Sequence, residues 1–317
     1  MTSQANPLEP RRVPTIYFIG VTTARSSIMQ VFPKWSALLG LGAEIAGYDA
    51  PIHAPVEVYR AVVRHIKEDP LSLGALVTTH KIDLLDAARD LFDDLDPYAK
   101  LCGEVSCISK RGRRLVGHAK DPITAGLAWQ AFVEPGHWGR SRGGVLCIGA
   151  GGSAVAISVY VAGLPDPADR PLSFITVNRS QPRLEALRAL HARLDADVAF
   201  EYVLNEDPAQ NDRIMTSLQP GSMVINATGM GKDRPGSPIT DAGLFPADGL
   251  VWELNYRGAL DFLHQARRQA QSRNLTVEDG WVYFLHGWSQ VIAEVFHLEL
   301  TPELFAELDK AATCIRS

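Results

Sequence analysis

A glycine-rich segment in the middle of the chain constrains the fold more than any other feature. The apolar run at 145–148 leads directly into Gly149, Ala150, Gly151, Gly152 and Ser153. In such a strand-to-helix turn, Gly149 would make the bend and Gly151 would let backbone N–H groups approach a pyrophosphate. A tight turn without a ligand is the simpler alternative. The context favours a dinucleotide-binding turn in a parallel α/β sheet.

The same alternation of apolar runs and amphipathic stretches extends over most of the 317 residues. It predicts strands at 15–20, 43–48, 74–79, 105–109, 114–119, 145–148, 174–177, 199–202, 223–226 and 251–254. It predicts helices at 27–41, 56–67, 82–95, 124–133, 281–297 and 302–315. Ser27 and Gln30 suggest a capping box for the first helix. The basic turn at 110–113 predicts a hairpin that closes the first sheet.

A chain of this length usually exceeds what one hydrophobic core can organise, so we expect two lobes. The predicted class is α/β, with an N-terminal substrate-binding and catalytic domain at 13–123. A Rossmann-type domain for the dinucleotide is expected at 124–276. Residues 277–317 are expected to form helices that pack back on the first lobe.

The composition excludes several classes of protein. With 46% hydrophobic residues, 21% charged residues and a formal net charge of -5, nothing favours binding to nucleic acid or to a membrane. Residues 1–12 lack the apolar core of a signal peptide, so we expect a cytoplasmic protein. The four cysteines lack the spacing of a zinc site or disulfide framework, and the histidines lack that of a catalytic metal site. We therefore expect no metal.

The residues after the second strand of the Rossmann series decide between NAD and NADP. An acidic residue there would bind the free 2′-hydroxyl of NAD, and the sequence has none. It has Asn178, Arg179, Ser180 and, three positions later, Arg183, whose guanidinium groups could clamp a 2′-phosphate. Two solvated arginines at the start of a helix are the alternative. We predict NADP(H) as the cofactor.

A third loop, at 226–231, also follows a predicted strand. Ligands of open α/β sheets bind at the carboxyl ends of the strands, where this loop should lie. It contains Ala227, Thr228 and Met230. These residues are therefore candidates for contact with the nicotinamide side of the cofactor.

Two ionisable residues suit an exchange between alcohol and ketone. Lys81 falls in the first turn of a predicted helix, where the helix dipole destabilises its ammonium form. Asp121 ends the hairpin and begins the next helix, so we expect it to face a cleft between the lobes. A lysine positioned by a carboxylate can take the hydroxyl proton while hydride leaves. The alternatives are an exposed lysine and a helix-capping aspartate before Pro122.

Taken in order, these motifs resemble those of the shikimate dehydrogenase family, from about residue 16 to residue 305. The family has a catalytic lysine after Gly-x-Asn-Val-Thr and an aspartate in Asn-Thr-Asp, and Lys81 and Asp121 match these positions. Its Gly-Ala-Gly-Gly loop and its Asn-Arg-Thr motif match residues 149–152 and 178–180. The resemblance implies that Lys81 and Asp121 form a proton-relay pair, and it adds Gly280 to the cofactor contacts.

The departures from the family concentrate where its members contact substrate. The family's His-Ser-x-Ser segment, which grips a carboxylate, becomes Arg25, Ser26, Ser27 and Ile28. One serine is retained, the other is shifted or lost, and an arginine appears. A carboxylate could still bind, with Arg25 as its partner.

Three further substrate positions differ from the family. Ser106 replaces an asparagine that would hold ring hydroxyls, and Gln290 or His286 could replace an absent glutamine. The spacing from Thr78 to Lys81 is one residue shorter than usual. The resemblance thus implies a substrate pocket with altered contacts, formed by Arg25, Ser26, Ser27, Thr78, Ser106 and Gln290.

We therefore expect an NADP-dependent oxidoreductase that interconverts a secondary alcohol and a ketone on a small cyclic hydroxy acid. Shikimate and 3-dehydroshikimate, or a quinate-like or related cyclitol, are the expected substrates by resemblance. The expected partners are this small molecule and NADP(H), in a monomer or a homodimer. The alternative is a non-catalytic metabolite sensor that keeps the dehydrogenase fold.

Overall fold

A computed structural model describes residues 8–232 and 234–316. These residues form two compact units, one that runs to Lys120 and resumes at Gly287, and one at Asp121–His286. Of the polar leader, residues 1–7 lie outside the described part, as does Ser317 at the end of the segment 277–317. The domain boundaries that we drew from the sequence stay predictions. None of the described helices is long and apolar enough to cross a membrane.

The first unit is built on a six-stranded mixed sheet. Its strands are β1 (Thr15–Gly20), β2 (Glu44–Asp49), β3 (Ser72–Val77), β4 (Asp94–Leu95), β5 (Cys107–Arg111) and β6 (Arg114–His118). Its first helices are α1 (Ile28–Leu38), α2 (Val56–Glu68), α3 (Lys81–Ala88) and α4 (Pro97–Cys102). The strand order is β2-β1-β3-β5-β6-β4, with β1, β2 and β3 parallel and β5 antiparallel to both neighbours. Because β2 and β3 flank β1, the sheet has a topological switch point between β1 and β3.

The second unit holds a six-stranded parallel sheet. Its strands are β7 (Val145–Ile148), β8 (Ser173–Asn178), β9 (Ala199–Leu204), β10 (Met223–Asn226), β11 (Leu250–Glu253) and β12 (Thr276–Glu278). Its helices are α5 (Asp121–Gln130), α6 (His137–Ser141), α7 (Gly152–Ala162), α8 (Gln181–His191), α9 (Pro208–Thr216) and α10 (Asp261–Arg273). Helix α11 (Trp281–Phe296) begins in this unit and ends in the first, to which α12 (Pro302–Thr313) also belongs. The strand order β12-β11-β10-β7-β8-β9 is that of the Rossmann fold. The predicted fold class is confirmed.

The sheet of the first unit is covered on both faces. Successive side chains of a strand point to opposite faces, so Tyr17 and Ile19 pack on one side with the buried residues of α2 and α3. Phe18 points to the other side, where its ring lies 5.0 Å from that of Trp288 in α11. Within the first unit, α12 packs against α1. The Trp35 indole in α1 donates a hydrogen bond to the Leu308 carbonyl in α12 at 2.8 Å.

The predicted capping box at the start of α1 is wrong. A 3₁₀ turn at Thr23–Arg25 runs almost directly into α1, so Ser27 already has helical backbone angles (φ -56°, ψ -25°). A capping residue needs extended angles for its side-chain oxygen to reach back to the first turn, and Ser27 makes no such bond. The helix also ends at Leu38 instead of residue 41, because Gly40 and Gly42 adopt positive φ.

The helix predicted at 82–95 is wrong in its second half. After Ala88 a 3₁₀ turn leads into β4, and Asp96 then caps α4 by accepting a hydrogen bond from Ala99 N at 2.6 Å. An aspartate before Pro97 is a helix-start signal that the apolar pattern concealed. Since β4 pairs with β6, the hairpin of β5 and β6 does not close the sheet as predicted.

Candidate functional site

The glycine turn lies at the switch point of the second sheet. β7 pairs with β10 on one side and with β8 on the other, and Gly149 follows β7. Gly149 has φ +119°, and a Cβ there would lie 2.5 Å from the carbonyl oxygen of Ala227 after β10. Only glycine fits this conformation and this close approach. The turn thus opens between the two strand ends where open α/β sheets bind ligands.

The residues after Gly149 form an open cradle at the N-terminus of α7. Gly151 has φ -92° and ψ -172°, and a Cβ there would meet no described atom within 4 Å. The helix carries no side-chain cap and no acidic residue in its first turn, which includes Gly152 and Ser153. Unpaired N–H groups and the helix dipole at such an end suit an anion. The cradle fits a pyrophosphate.

A cleft of about 800 Å³ adjoins this cradle. Asn178 Oδ1 accepts a hydrogen bond from Ser180 N at 2.8 Å, which fixes the turn that carries Arg179 after β8. Arg179 and Arg183 are exposed and line the cleft. Other predicted residues on its wall are Gly149, Ala150, Gly151, Asn178, Ser180, Ala227, Thr228 and Met230. The structure brings together all three loops that the sequence assigned to the cofactor.

The charges along the cleft favour a phosphate near β8. The first turn of α8, which includes Arg183, contains no acidic residue. The acid on the cleft wall is Glu206, which follows the next strand, β9, instead of β8. Arg234 adds a third guanidinium to the wall. Guanidinium groups in this position suit a 2′-phosphate, as the sequence predicted.

A buried polar network supports the loop at 226–231. Glu253, at the end of β11, accepts a hydrogen bond from Asn226 Nδ2 at 2.7 Å and two from Asn255, from N and Nδ2, both at 2.7 Å. Burial raises the pKa of Glu253 to about 7. Asn255 Nδ2 also lies 3.1 Å from the Thr228 carbonyl. These bonds hold the loop that forms one wall of the cleft.

In the first unit, the switch point gathers two of the predicted substrate segments. Thr78 N, just after β3, donates to Ile19 O in β1 at 3.0 Å. A Cβ on Gly20 would lie 3.0 Å from Thr78 Cγ2 and 3.2 Å from Thr23 Cγ2. The turn that carries Arg25 follows directly and is held by Thr23 N, which donates to Asp49 Oδ1 at 2.8 Å.

The candidate catalytic residues both begin helices. Lys81 is the first residue of α3 and is half-buried, and its carbonyl accepts from Val105 N at 3.2 Å. Ser106, the next residue, is buried, and its Oγ accepts a hydrogen bond from Lys120 N at 2.8 Å. Asp121, the first residue of α5, follows that backbone group. Ser106 therefore holds the segment that precedes Asp121.

Comparison with known proteins shows to which family the chain belongs. The chain matches no protein-family model. It is 29% identical over 272 residues to the shikimate dehydrogenase (NADP(+)) of Symbiobacterium thermophilum, and the aligned region covers 84% of each chain. It is 30% identical over 227 residues to that of Methanothrix thermoacetophila, with 70% of this chain and 73% of the relative covered. The chain belongs to the shikimate dehydrogenase family.

Solved structures agree on the fold. The quinate dehydrogenase from Corynebacterium glutamicum, in complex with NAD, superposes with a TM-score of 0.72 over 95% of this chain and 98% of its own. The two chains are 16% identical, so the likeness concerns the fold alone. A shikimate dehydrogenase fold therefore positions the residues described above.

The remaining family-implied residues lie on different elements. Arg25 is exposed in its 3₁₀ turn, Ser26 and Ser27 are half-buried, and Gln290 is half-buried on α11. Gly280 does not line the cleft, and a Cβ there would lie 2.1 Å from Leu254 O, so the close approach to β11 requires glycine. The roles that the family implies for these residues stay predictions.

Sequence reasoning missed Arg234 on the cleft wall and the network of Glu253 and Asn255 behind it. A basic pair, Lys232 and Arg234, directly follows the third loop and is the sequence signal for this part of the wall. Glu253 had a detectable signal, because a carboxylate at the end of a buried apolar strand is unusual. Its pairing with Asn226 depends on β10 and β11 being neighbours, which the sequence does not state.

Proposed function

We propose that this chain is an NADP(H)-dependent oxidoreductase of the shikimate dehydrogenase type, which interconverts a secondary alcohol and a ketone on a small cyclic hydroxy acid. The observation that carries the proposal is the cleft at the Rossmann switch point, with a glycine cradle for pyrophosphate and arginines at its β8 end. Membership of a family whose curated relatives are NADP(+)-dependent shikimate dehydrogenases supports the same chemistry.

The proposed chemistry assigns one task to each group. NADP(H), when bound, supplies or accepts the hydride. Lys81 takes the hydroxyl proton during oxidation and returns it during ketone reduction, and Asp121 orients the reacting hydroxyl. Arg25, with Ser26, binds the carboxylate of the substrate through charge-assisted hydrogen bonds. The position of Lys81 at a helix N-terminus supports its role, because the helix dipole favours the neutral amine.

The proposed substrates are shikimate with 3-dehydroshikimate, or a quinate-like or related cyclitol. The retained serine and the new arginine after β1 support a carboxylate. The loss of the family asparagine at Ser106 supports altered hydroxyl contacts, since the Ser106 hydroxyl already accepts a backbone hydrogen bond. The oligomeric state and the location in the cell stay predictions.

A turnover assay tests this proposal. Purified protein is mixed with NADPH or NADH and with the ketones that correspond to shikimate, quinate and related cyclitols, and absorbance of the reduced cofactor is followed. We expect turnover with at least one ketone and a preference for NADPH. Binding of NADPH and of a cyclitol acid without turnover would favour the metabolite sensor. Failure to bind NADPH would contradict the proposal.

A further inference from the structure

Glu253 is a fully buried carboxylate whose three hydrogen-bond partners are all donors. It ends β11 directly opposite Asn226 at the end of β10, with which it is paired in the sheet. Oε2 accepts from Asn226 Nδ2, and Oε1 accepts from both N–H groups of Asn255, each at 2.7 Å. An ionised carboxylate has only acceptors, so it satisfies this arrangement fully.

The same two asparagines fix the wall of the cofactor cleft. Asn226 Oδ1 accepts from Thr228 N at 3.0 Å and from Thr228 Oγ1 at 2.6 Å. Asn255 Nδ2 lies 3.1 Å from the Thr228 carbonyl and 3.2 Å from the Met230 carbonyl. Thr228 and Met230 line the cleft, whereas Glu253 does not. The carboxylate therefore acts on the cleft only through the two asparagines.

We propose that Glu253 is a positioning residue, whose ionised carboxylate holds the loop at 227–230 in its cofactor-binding conformation, and that its protonation weakens NADP(H) binding. The inference rests on the proposed function, because it assumes that the cleft binds NADP(H). A carboxyl proton would compete with one of the three N–H donors, since both oxygens of the carboxylate already accept hydrogen bonds. The displaced asparagine would then release its contact with Thr228 or Met230.

The charge state of Glu253 changes in the neutral range. Burial and the negative charge of Asp279 after β12 raise its pKa, the bonds from Asn255 and Asn226 lower it, and the net result is a pKa of about 7. Glu253 is thus influenced by two asparagines, which donate hydrogen bonds to it, and by the negative charge of Asp279. The fraction of ionised Glu253 increases as the pH rises through about 7, so NADPH affinity should increase in the same direction.

The test compares Glu253→Gln and Glu253→Asp with the wild type. Glutamine keeps the shape but places an N–H₂ group among donors, whereas aspartate keeps the charge. Asp169→Asn is a matched control, because Asp169 Oδ1 accepts from Gly136 N at 2.7 Å and holds a different loop of the same unit. Kd for NADPH is measured by cofactor fluorescence between pH 6 and pH 8, and folding is checked by thermal unfolding of each variant.

We expect Glu253→Gln to raise the Kd for NADPH at pH 8 by about tenfold or more, as expected for leaving buried donors without an acceptor. It should also flatten the pH dependence near 7, while the titration of the cofactor phosphate near pH 6 stays common to all variants. Glu253→Asp should bind more tightly than Glu253→Gln. If Glu253→Gln does not fold, the Kd of Glu253→Asp for NADPH and the pH dependence of NADPH binding by the wild type still test the inference.

Two results would overturn the inference while leaving the proposed function intact. One is wild-type affinity and an unchanged pH profile in Glu253→Gln. The other is an equal loss of affinity in Asp169→Asn, which would assign the effect to general weakening of the unit. If the wild type itself binds no NADPH, the proposed function fails first and the inference fails with it.

Discussion

At the scale of single residues, position on an element matters as much as residue type. Lys81 is the first residue of α3, and the N-terminal end of a helix dipole is an unfavourable place for a positive charge. Arg179 and Arg183 lie at the start of α8, where the same dipole adds to their attraction for a phosphate. The same physical effect thus supports the proposed proton exchange by Lys81 in the first unit and the proposed anion site in the second.

Replacing Lys81 with alanine tests its proposed role. We expect Lys81→Ala to lower turnover at least about a hundredfold, because general acid-base groups contribute that much to proton transfer. The Kd for NADPH should change little, since the residues that line the cofactor cleft lie between Ile148 and Pro238 and do not include Lys81. Lys100→Ala is the control, because Lys100 lies on the surface of α4 and pairs with Asp94. Turnover near that of the wild type in Lys81→Ala would remove this lysine from the chemistry.

At the scale of elements, the turn from β7 to α7 contains two glycines, Gly149 and Gly151, that are present for different reasons. Gly149 is required by the fold, because its φ of +119° and its distance to Ala227 exclude a side chain. Gly151 has an extended φ that any residue adopts, a Cβ there would meet no described atom within 4 Å, and the residue lines the cleft. We therefore expect the first glycine to affect stability and the second to affect ligand binding.

Two alanine variants distinguish these uses. Gly149→Ala should lower the free energy of unfolding by about 1–3 kcal/mol or more, because it combines backbone strain with a clash. Gly151→Ala should keep the stability of the wild type and raise the Kd for NADPH by about tenfold, because the methyl group stands where backbone N–H groups meet the pyrophosphate. Thermal unfolding and cofactor titration of both variants provide the comparison. Normal NADPH binding by Gly151→Ala would contradict the proposed cradle.

At the scale of the whole molecule, the first unit is discontinuous in sequence. It needs the chain end, because Trp35 in α1 is fully buried and its indole donates to Leu308 O in α12. Lys120 Nζ also donates to Glu294 Oε2 in α11 at 2.5 Å. The helical layer of this unit is therefore complete only after the second unit has been synthesised.

Truncating Leu308, which is 2% exposed, tests this dependence. We expect Leu308→Ala to lower the stability of the first unit by about 2–5 kcal/mol, as for other buried leucines. The Kd for NADPH should stay unchanged, because the cleft lining belongs to the second unit. Glu307→Ala, at an exposed position of the same helix, is the control. An equal effect of both variants on denaturant unfolding would contradict the proposed packing.

Most of the second sheet could be predicted from the sequence, because β7, β10 and β11 are mainly apolar runs that are buried along their whole length. The glycine turn and the two arginines could be predicted for a similar reason: they follow strand ends directly, so local order along the chain already fixes their neighbours. The capping box at Ser27 and the helix at 82–95 failed where a neighbouring turn changed the backbone angles. Local patterns do not contain that information.

The sequence by itself determined the α/β class, the family resemblance and the cofactor loops, because each depends on residues close together in the chain. Only the tertiary structure decided that Glu253 pairs with Asn226, that Arg234 joins the cleft wall and that the chain end completes the first unit. These contacts join residues 27 to 273 positions apart, or depend on which strands become neighbours. Strand order and burial arise from the packing of the whole chain, which no single segment encodes.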